Sequence, residues 1–142
     1  MEYRALGVTG QIVSRICLGT MTFGAQVSQQ EGIAIIREAI DRGVNFIDTA
    51  DVYTDGQSEI ITGKAIRDRR ESVILASKCG LATSASILDR GLSRSTVIRH
   101  VEASLKRLGV DYLDILYLHA PDPNVSFGEL VQTMNVLIES EK

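Results

Sequence analysis

The feature that most constrains this chain is an alternation: a short apolar run followed by a stretch of helix-spaced apolar residues, four times over. The runs fill residues 16–19, 44–48, 73–78 and 113–118. After the first, Ser28-Gln29-Gln30-Glu31 has the form of a capping box, Ile33, Ile36 and Ile40 recur at helical spacing, and Gly43 is placed to end the helix. Residues 58–67, with Ile60, Ile61 and Ala65, predict a second helix despite Gly63. Ser93 caps a third that carries Val97, Val101, Leu105 and Leu108 and stops at Gly109. Pro121 and Pro123 mark a loop, and Ser126-Phe127-Gly128-Glu129 opens a fourth helix with Leu130, Met134, Leu137 and Ile138 inward. Ahead of the repeat, Leu6-Gly7-Val8-Thr9-Gly10-Gln11 predicts a hairpin turn. Strand–helix alternation calls for parallel strands joined by right-handed crossovers. Continuous apolar runs further suggest a sheet covered on both faces. An open doubly wound sheet and an arc of a (β/α)8 barrel satisfy this pattern equally.

Composition narrows the function. A chain of 142 residues, 44% hydrophobic, suits one domain with a core that needs no staples. Fifteen basic residues against 18 acidic ones give a net charge of −3, with neither sign gathered in a block, which argues against a nucleic-acid or anionic-membrane partner. Cys17 and Cys79 are too few for a disulfide framework and lack the C-x-x-C spacing of a metal site, so free thiols in a reducing compartment are expected, and no metal. The start, Met1-Glu2-Tyr3-Arg4, carries no apolar leader, and no run reaches the roughly 18 apolar residues of a membrane span. The expectation is a cytoplasmic protein.

The chemistry lies where polar residues interrupt the apolar runs. Asp48 ends the second run, Lys78 ends the third and His119 follows the fourth. Active sites of parallel α/β folds lie at the carboxyl ends of the strands, so these three side chains should converge. Tyr53, five residues past Asp48, is close enough to fold back over the same mouth. Each has a plain alternative: a turn cap for Asp48, a solvated Lys78, half-buried packing for Tyr53, a turn hydrogen bond for His119. Equivalent positions on successive strands favour a joint role. Together they suit carbonyl chemistry: a neighbouring ammonium stabilises a phenolate, a carboxylate holds that ammonium, and an imidazole donates to an oxygen that becomes an alkoxide. Cys79, next to Lys78 in a strand, would point the other way and pack.

These residues, in this order, resemble the aldo-keto reductase family. The resemblance runs through Leu18-Gly19-Thr20-Met21-Thr22-Phe23-Gly24, Asp48-Thr49-Ala50-Asp51-Val52-Tyr53, Gly56-Gln57-Ser58-Glu59, the strand ending in Lys78, and Tyr117-Leu118-His119. Arg90-Gly91-Leu92-Ser93, Ala103-Ser104-Leu105-Lys106-Arg107-Leu108 and Pro121-Asp122-Pro123-Asn124 are similar to the branch that includes potassium-channel β subunits and related bacterial reductases. The resemblance implies a (β/α)8 TIM barrel, of which residues 1–142 would form the N-terminal half: a hairpin closing the bottom and about four βα units. It implies hydride transfer from NADPH to a small aldehyde or ketone, with Tyr53 as proton donor, Lys78 and Asp48 tuning it, and His119 orienting the carbonyl. Gly19, Thr20, Met21, Gln26 and Asp48 match cofactor positions at the nicotinamide end, although many members carry an aromatic residue where Met21 stands. The family draws its phosphate-gripping residues from later units, so no basic clamp is assigned here and the 142 residues alone are expected to bind NADPH weakly or not at all. Bare first and fourth strand edges would invite self-association. Besides a reductase, the pattern admits a nucleotide-sensing partner subunit or a structural half barrel that pairs with itself.

Overall fold

The computed structural model describes all 142 residues. Strands β1 (Tyr3–Ala5) and β2 (Ile12–Ser14) pair antiparallel across a turn in which Leu6 N donates to Gln11 O at 2.8 Å. Strands β3 (Cys17–Gly19), β4 (Phe46–Asp48), β5 (Ile74–Cys79) and β6 (Ile115–Leu118) form a parallel sheet in that order. Helices α1 (Gln29–Asp41), α2 (Gln57–Ile66), α3 (Arg94–Leu108) and α4 (Phe127–Glu139) follow β3, β4, β5 and β6 in turn. The strand order never reverses, so crossovers of one hand place every helix on the same face. A doubly wound sheet needs a switch point where that order turns back. The sheet is therefore an arc of a barrel.

Helices cover one face only, which corrects the expectation of a sheet covered on both. Side chains alternate along each strand. Ile47 and Leu75 point to the helices and are fully buried with Ile36, Ile61, Ala65 and Ile66, while Cys79 joins Leu92, Val97, Val101 and Leu137 in a second cluster. Burying a side chain of that size stabilises by about 1.5–3 kcal/mol, so the two clusters carry the fold. The other face bears Cys17, Asp48, Lys78 and Tyr117, and Cys17 and Tyr117 are exposed. Strands β3 and β6 form the sheet edges.

The local signals hold. Ser28 Oγ accepts from Glu31 N and Glu31 returns a carboxylate oxygen to Ser28 N at 3.1 Å, closing the capping box on α1. Ser93 and Ser126 cap α3 and α4 by accepting from Thr96 N and Glu129 N, without the reciprocal bond. Ile138 departs from expectation and is 71% exposed. The inward stripe of α4 centres on Thr133 and Leu137, and Ile138 lies about 100° further round the helix. No helix is long and apolar enough to cross a membrane.

The hairpin is pinned to the amino ends of the strands. Asn45, one residue before β4, accepts from Ser14 N at 2.6 Å and donates to Ile12 O at 3.0 Å, and the Tyr3 hydroxyl donates to Gly43 O at 2.9 Å. This leaves the carboxyl rim open. Helix α2 crosses the end of α3 so closely that a Cβ on Gly63 would lie 2.0 Å from the Leu108 carbonyl oxygen. Helix propensity alone would make Gly63→Ala stabilising by about 1 kcal/mol. Backbone cannot yield as a side-chain tip can, so overpacking of about 1–3 kcal/mol or more decides the sign. Urea denaturation of Gly63→Ala should show a lower midpoint; a raised midpoint would mean that α2 and α3 lie further apart.

Candidate active site

Each functional side chain stands where a strand stops. Asp48 is the last residue of β4, Lys78 the penultimate residue of β5, and His119 follows β6 with its N–H donating to Cys79 O at 2.8 Å. Asp48 pairs with Ala76 and Lys78 with Tyr117, so alternation sends Asp48, Lys78, Tyr117 and His119 to the helix-free face. Lys78 Nζ donates to Asp48 Oδ2 at 2.5 Å and to Thr49 O at 2.8 Å. Two of its three N–H donors are thereby committed. The ammonium lies 4.6 Å from the centroid of the Tyr53 ring, and that ring meets the His119 ring edge to face at 5.9 Å and 83°. All four residues singled out for chemistry come together at one rim.

Tyr53 reaches that position through a tight reversal. It opens a 3-10 turn (Tyr53–Gly56) in which Thr54, Asp55 and Gly56 have φ of 49°, 54° and 82°. Non-glycine residues in the left-handed region cost about 1–3 kcal/mol each. Thr54 helps to offset this: its hydroxyl lies 2.6 Å from Phe23 O and accepts from Ser58 N at 3.1 Å, tying the turn to the β3–α1 loop and to α2. Beneath the turn, Ser58 Oγ donates to Thr20 O at 2.8 Å and lies 2.7 Å from Thr20 Oγ1 and 2.9 Å from Thr49 Oγ1. These three hydroxyl residues are fully buried and fix the backbone on either side of Asp48.

The electrostatics keep the site charged where it must be. Burial works against the Lys78 ammonium, but the hydrogen bond to Asp48, and after it the neighbouring Tyr53 hydroxyl, raise its pKa above the usual lysine value. Its contribution to stability is present below about 10.5 and is lost only as pH rises through the higher folded value, so Lys78 is an ammonium throughout the neutral range. Partial desolvation, followed by the nearby Asp48 charge, pushes the Cys17 thiol up to about 11, and burial pushes Cys79 up to about 12. Neither sulfur is a thiolate nucleophile at neutral pH. His119 Nδ1 is buried without a partner, a cost of about 1–3 kcal/mol that native structures concentrate at functional sites.

The carboxyl end of β3 is open. A Cβ on Gly19 would meet nothing within 4 Å, Met21 is 62% exposed and Gln26 is exposed, leaving an open shelf beside Asp48. Thr20 is placed differently. Its side chain is fully buried and its hydroxyl is taken up by Ser58 and Asp48 O, so it holds the shelf instead of reaching the mouth.

Several supporting residues escaped the sequence reading. Glu59, fully buried, accepts from Arg107 Nε and from Ser77 Oγ, both at 2.6 Å. His100, also buried, lies between Asp51 and Asp89. A signal for them exists: His100, Ser104 and Arg107 recur at i, i+4 and i+7, a polar stripe beside the apolar one on α3.

Residues 15–140 match the model of the Aldo/keto reductase family. The chain belongs to the aldo-keto reductase family. It is 41% identical over 148 residues to the aldo-keto reductase YhdN of Bacillus subtilis, covering 100% of this chain and 45% of that protein. It is 40% identical over 143 residues to a probable voltage-gated potassium channel subunit beta of Arabidopsis thaliana, covering 98% of this chain and 43% of the relative. The holo form of an aldo-keto reductase from Bacillus halodurans superposes with a TM-score of 0.89 at 30% identity, over 99% of this chain and 47% of the other. The chain thus spans less than half the length of these relatives.

Proposed function

We propose that this aldo-keto reductase chain provides the acid–base centre of an NADPH-dependent reduction of small aldehydes or ketones to alcohols. The observation that carries the reading is the convergence of Asp48, Lys78 and His119 on Tyr53 at one rim. The hydride would come from the nicotinamide of the bound cofactor, which Gly19, Met21, Gln26 and Asp48 would hold at the carboxyl end of β3. Tyr53 gives its hydroxyl proton to the carbonyl oxygen as the carbon gains hydride, and the product leaves as the alcohol. Lys78, kept charged by Asp48, stabilises the negative charge that grows on the Tyr53 oxygen as the proton departs. His119, whose ring meets that of Tyr53 edge to face at 5.9 Å, stands beside the hydroxyl and would hydrogen-bond the carbonyl oxygen there. Water returns the proton to Tyr53 after product release.

A fusion tests this directly. The 142 residues are joined to the part of YhdN that lies beyond the matched region, and NADPH oxidation is followed with short aldehydes, the YhdN segment alone serving as control. The expected result is aldehyde-dependent oxidation by the fusion and none by the segment. A folded fusion that binds NADPH without turnover would overturn the reductase reading in favour of nucleotide sensing.

A further inference from the structure

His100 occupies the buried face of α3, where the reaction above has no use for an imidazole. Its Nδ1 lies 2.7 Å from Asp51 Oδ2 and its Nε2 lies 3.1 Å from Asp89 Oδ1, with the His100 and Asp51 side chains only 2% and 0% exposed. A neutral imidazole can donate from one nitrogen only, which would set the other lone pair against a carboxylate. Both bonds form together only with the imidazolium. The second oxygen of Asp51 is buried without a partner, so His100 is the group that compensates this carboxylate.

The two carboxylates belong to different parts of the rim. Asp51 lies two residues before Tyr53, with its N–H on Lys78 O at 3.2 Å. Asp89 lies in the long connection from β5 to α3 and accepts from Thr83 N at 3.0 Å and Thr83 Oγ1 at 2.6 Å, bracing the loop from within. That connection lines one wall of a cavity of about 510 Å³ whose other wall starts at Ala120, next to His119. We propose that His100 is a positioning residue, whose two hydrogen bonds tie the turn carrying Tyr53 to the loop that walls the cavity, so that this turn and the cavity wall are set as one unit.

The charges around the ring are few. Asp51 reaches it from the β4–α2 turn and Asp89 from the β5–α3 loop, while Arg99 on α3 lies 3.7 Å from Asp89. Cys79 on β5 stays a neutral thiol, and Glu59 on α2 is closed in its pair with Arg107. Helix α4 meets this part of α3 through Leu130, Met134 and Leu137. The hydrogen bond with Asp51 is the largest effect on His100; it outweighs burial and raises the pKa above the usual imidazole value, with Asp89 adding to the rise. The clamp is complete below about 6.5 and opens as pH rises through the higher folded value.

The test uses the 142-residue chain labelled with 3-fluorotyrosine, the Tyr53 resonance being assigned with Tyr53→Phe and the His100 ring followed by its 15N shifts. The expected result is a ring protonated on both nitrogens at pH 7 and a Tyr53 resonance that moves in step with the His100 titration. In Asp89→Asn, whose side chain is partly exposed, both midpoints should fall together by about one pH unit or more. A neutral ring at pH 7, or a Tyr53 resonance that ignores the displaced His100 midpoint, would overturn the proposal. Its functional meaning rests on Tyr53 being the proton donor, yet the readout does not. An inactive fusion with a Tyr53 resonance that follows His100 would sink the reductase reading and leave the clamp standing.

Discussion

Tyr53→Phe in the YhdN fusion should lower kcat by about 10²–10⁴ while leaving the Kd for NADPH within about twofold. That range is what a positioned general acid supplies. The substitution removes one oxygen and keeps the ring, so the contacts that seat the side chain survive: Lys78 at 4.6 Å from its centroid and the edge of His119 at 5.9 Å. The strained turn beyond it is held by Thr54 and Ser58 and does not depend on the phenol. A loss of turnover therefore reports the proton and not the fold. Retained turnover would assign proton donation to another group.

Arg107→Ala should be the most damaging single change to stability, at about 3–5 kcal/mol, because it strands the Glu59 carboxylate at 0% exposure with only the Ser77 hydroxyl for company. Domains of this size are stable by about 5–15 kcal/mol, so Tm should fall by on the order of 10 °C. The loss extends to the site. The Arg107 stem runs beneath Gly56, where a Cβ would lie 2.7 Å from its Cδ, so the arginine also supports the turn after Tyr53. Arg42→Ala provides the contrast, since its partner Glu38 is 61% exposed and Arg42 itself 77%. Exposed pairs of this kind contribute little. Equal Tm losses for the two variants would show that Glu59 is hydrated in solution.

The legible part of this protein was local. Caps at Ser28, Ser93 and Ser126 and the strand-ending positions of Asp48, Lys78 and His119 follow from spacing of a few residues, and the structure places them as expected. What the spacing leaves out is pairing at a distance. Ser58 meets Thr20 across 38 positions and Arg107 meets Glu59 across 48, and no window of sequence holds both partners. The left-handed backbone at Thr54 and Asp55 was hidden for the same reason, since neither residue is glycine and part of the compensation comes from Phe23 O. The apolar runs misled on which faces of the sheet the helices cover, since they pointed to both. That choice comes from the order of the strands, which puts Cys17 and Tyr117 in the open while Cys79, beside Lys78, is buried.

The claim beneath all of this is that Tyr53 and Lys78 act as one unit, and a double-mutant cycle on fusion turnover addresses it most directly. Groups that work together lose activity non-additively, whereas independent sites add. With Tyr53 intact, Lys78→Met should lower kcat by at least about 10²; in the Tyr53→Phe background the same change should cost less than about tenfold. Two losses that multiply in full would mean that the ammonium serves something other than the tyrosine proton.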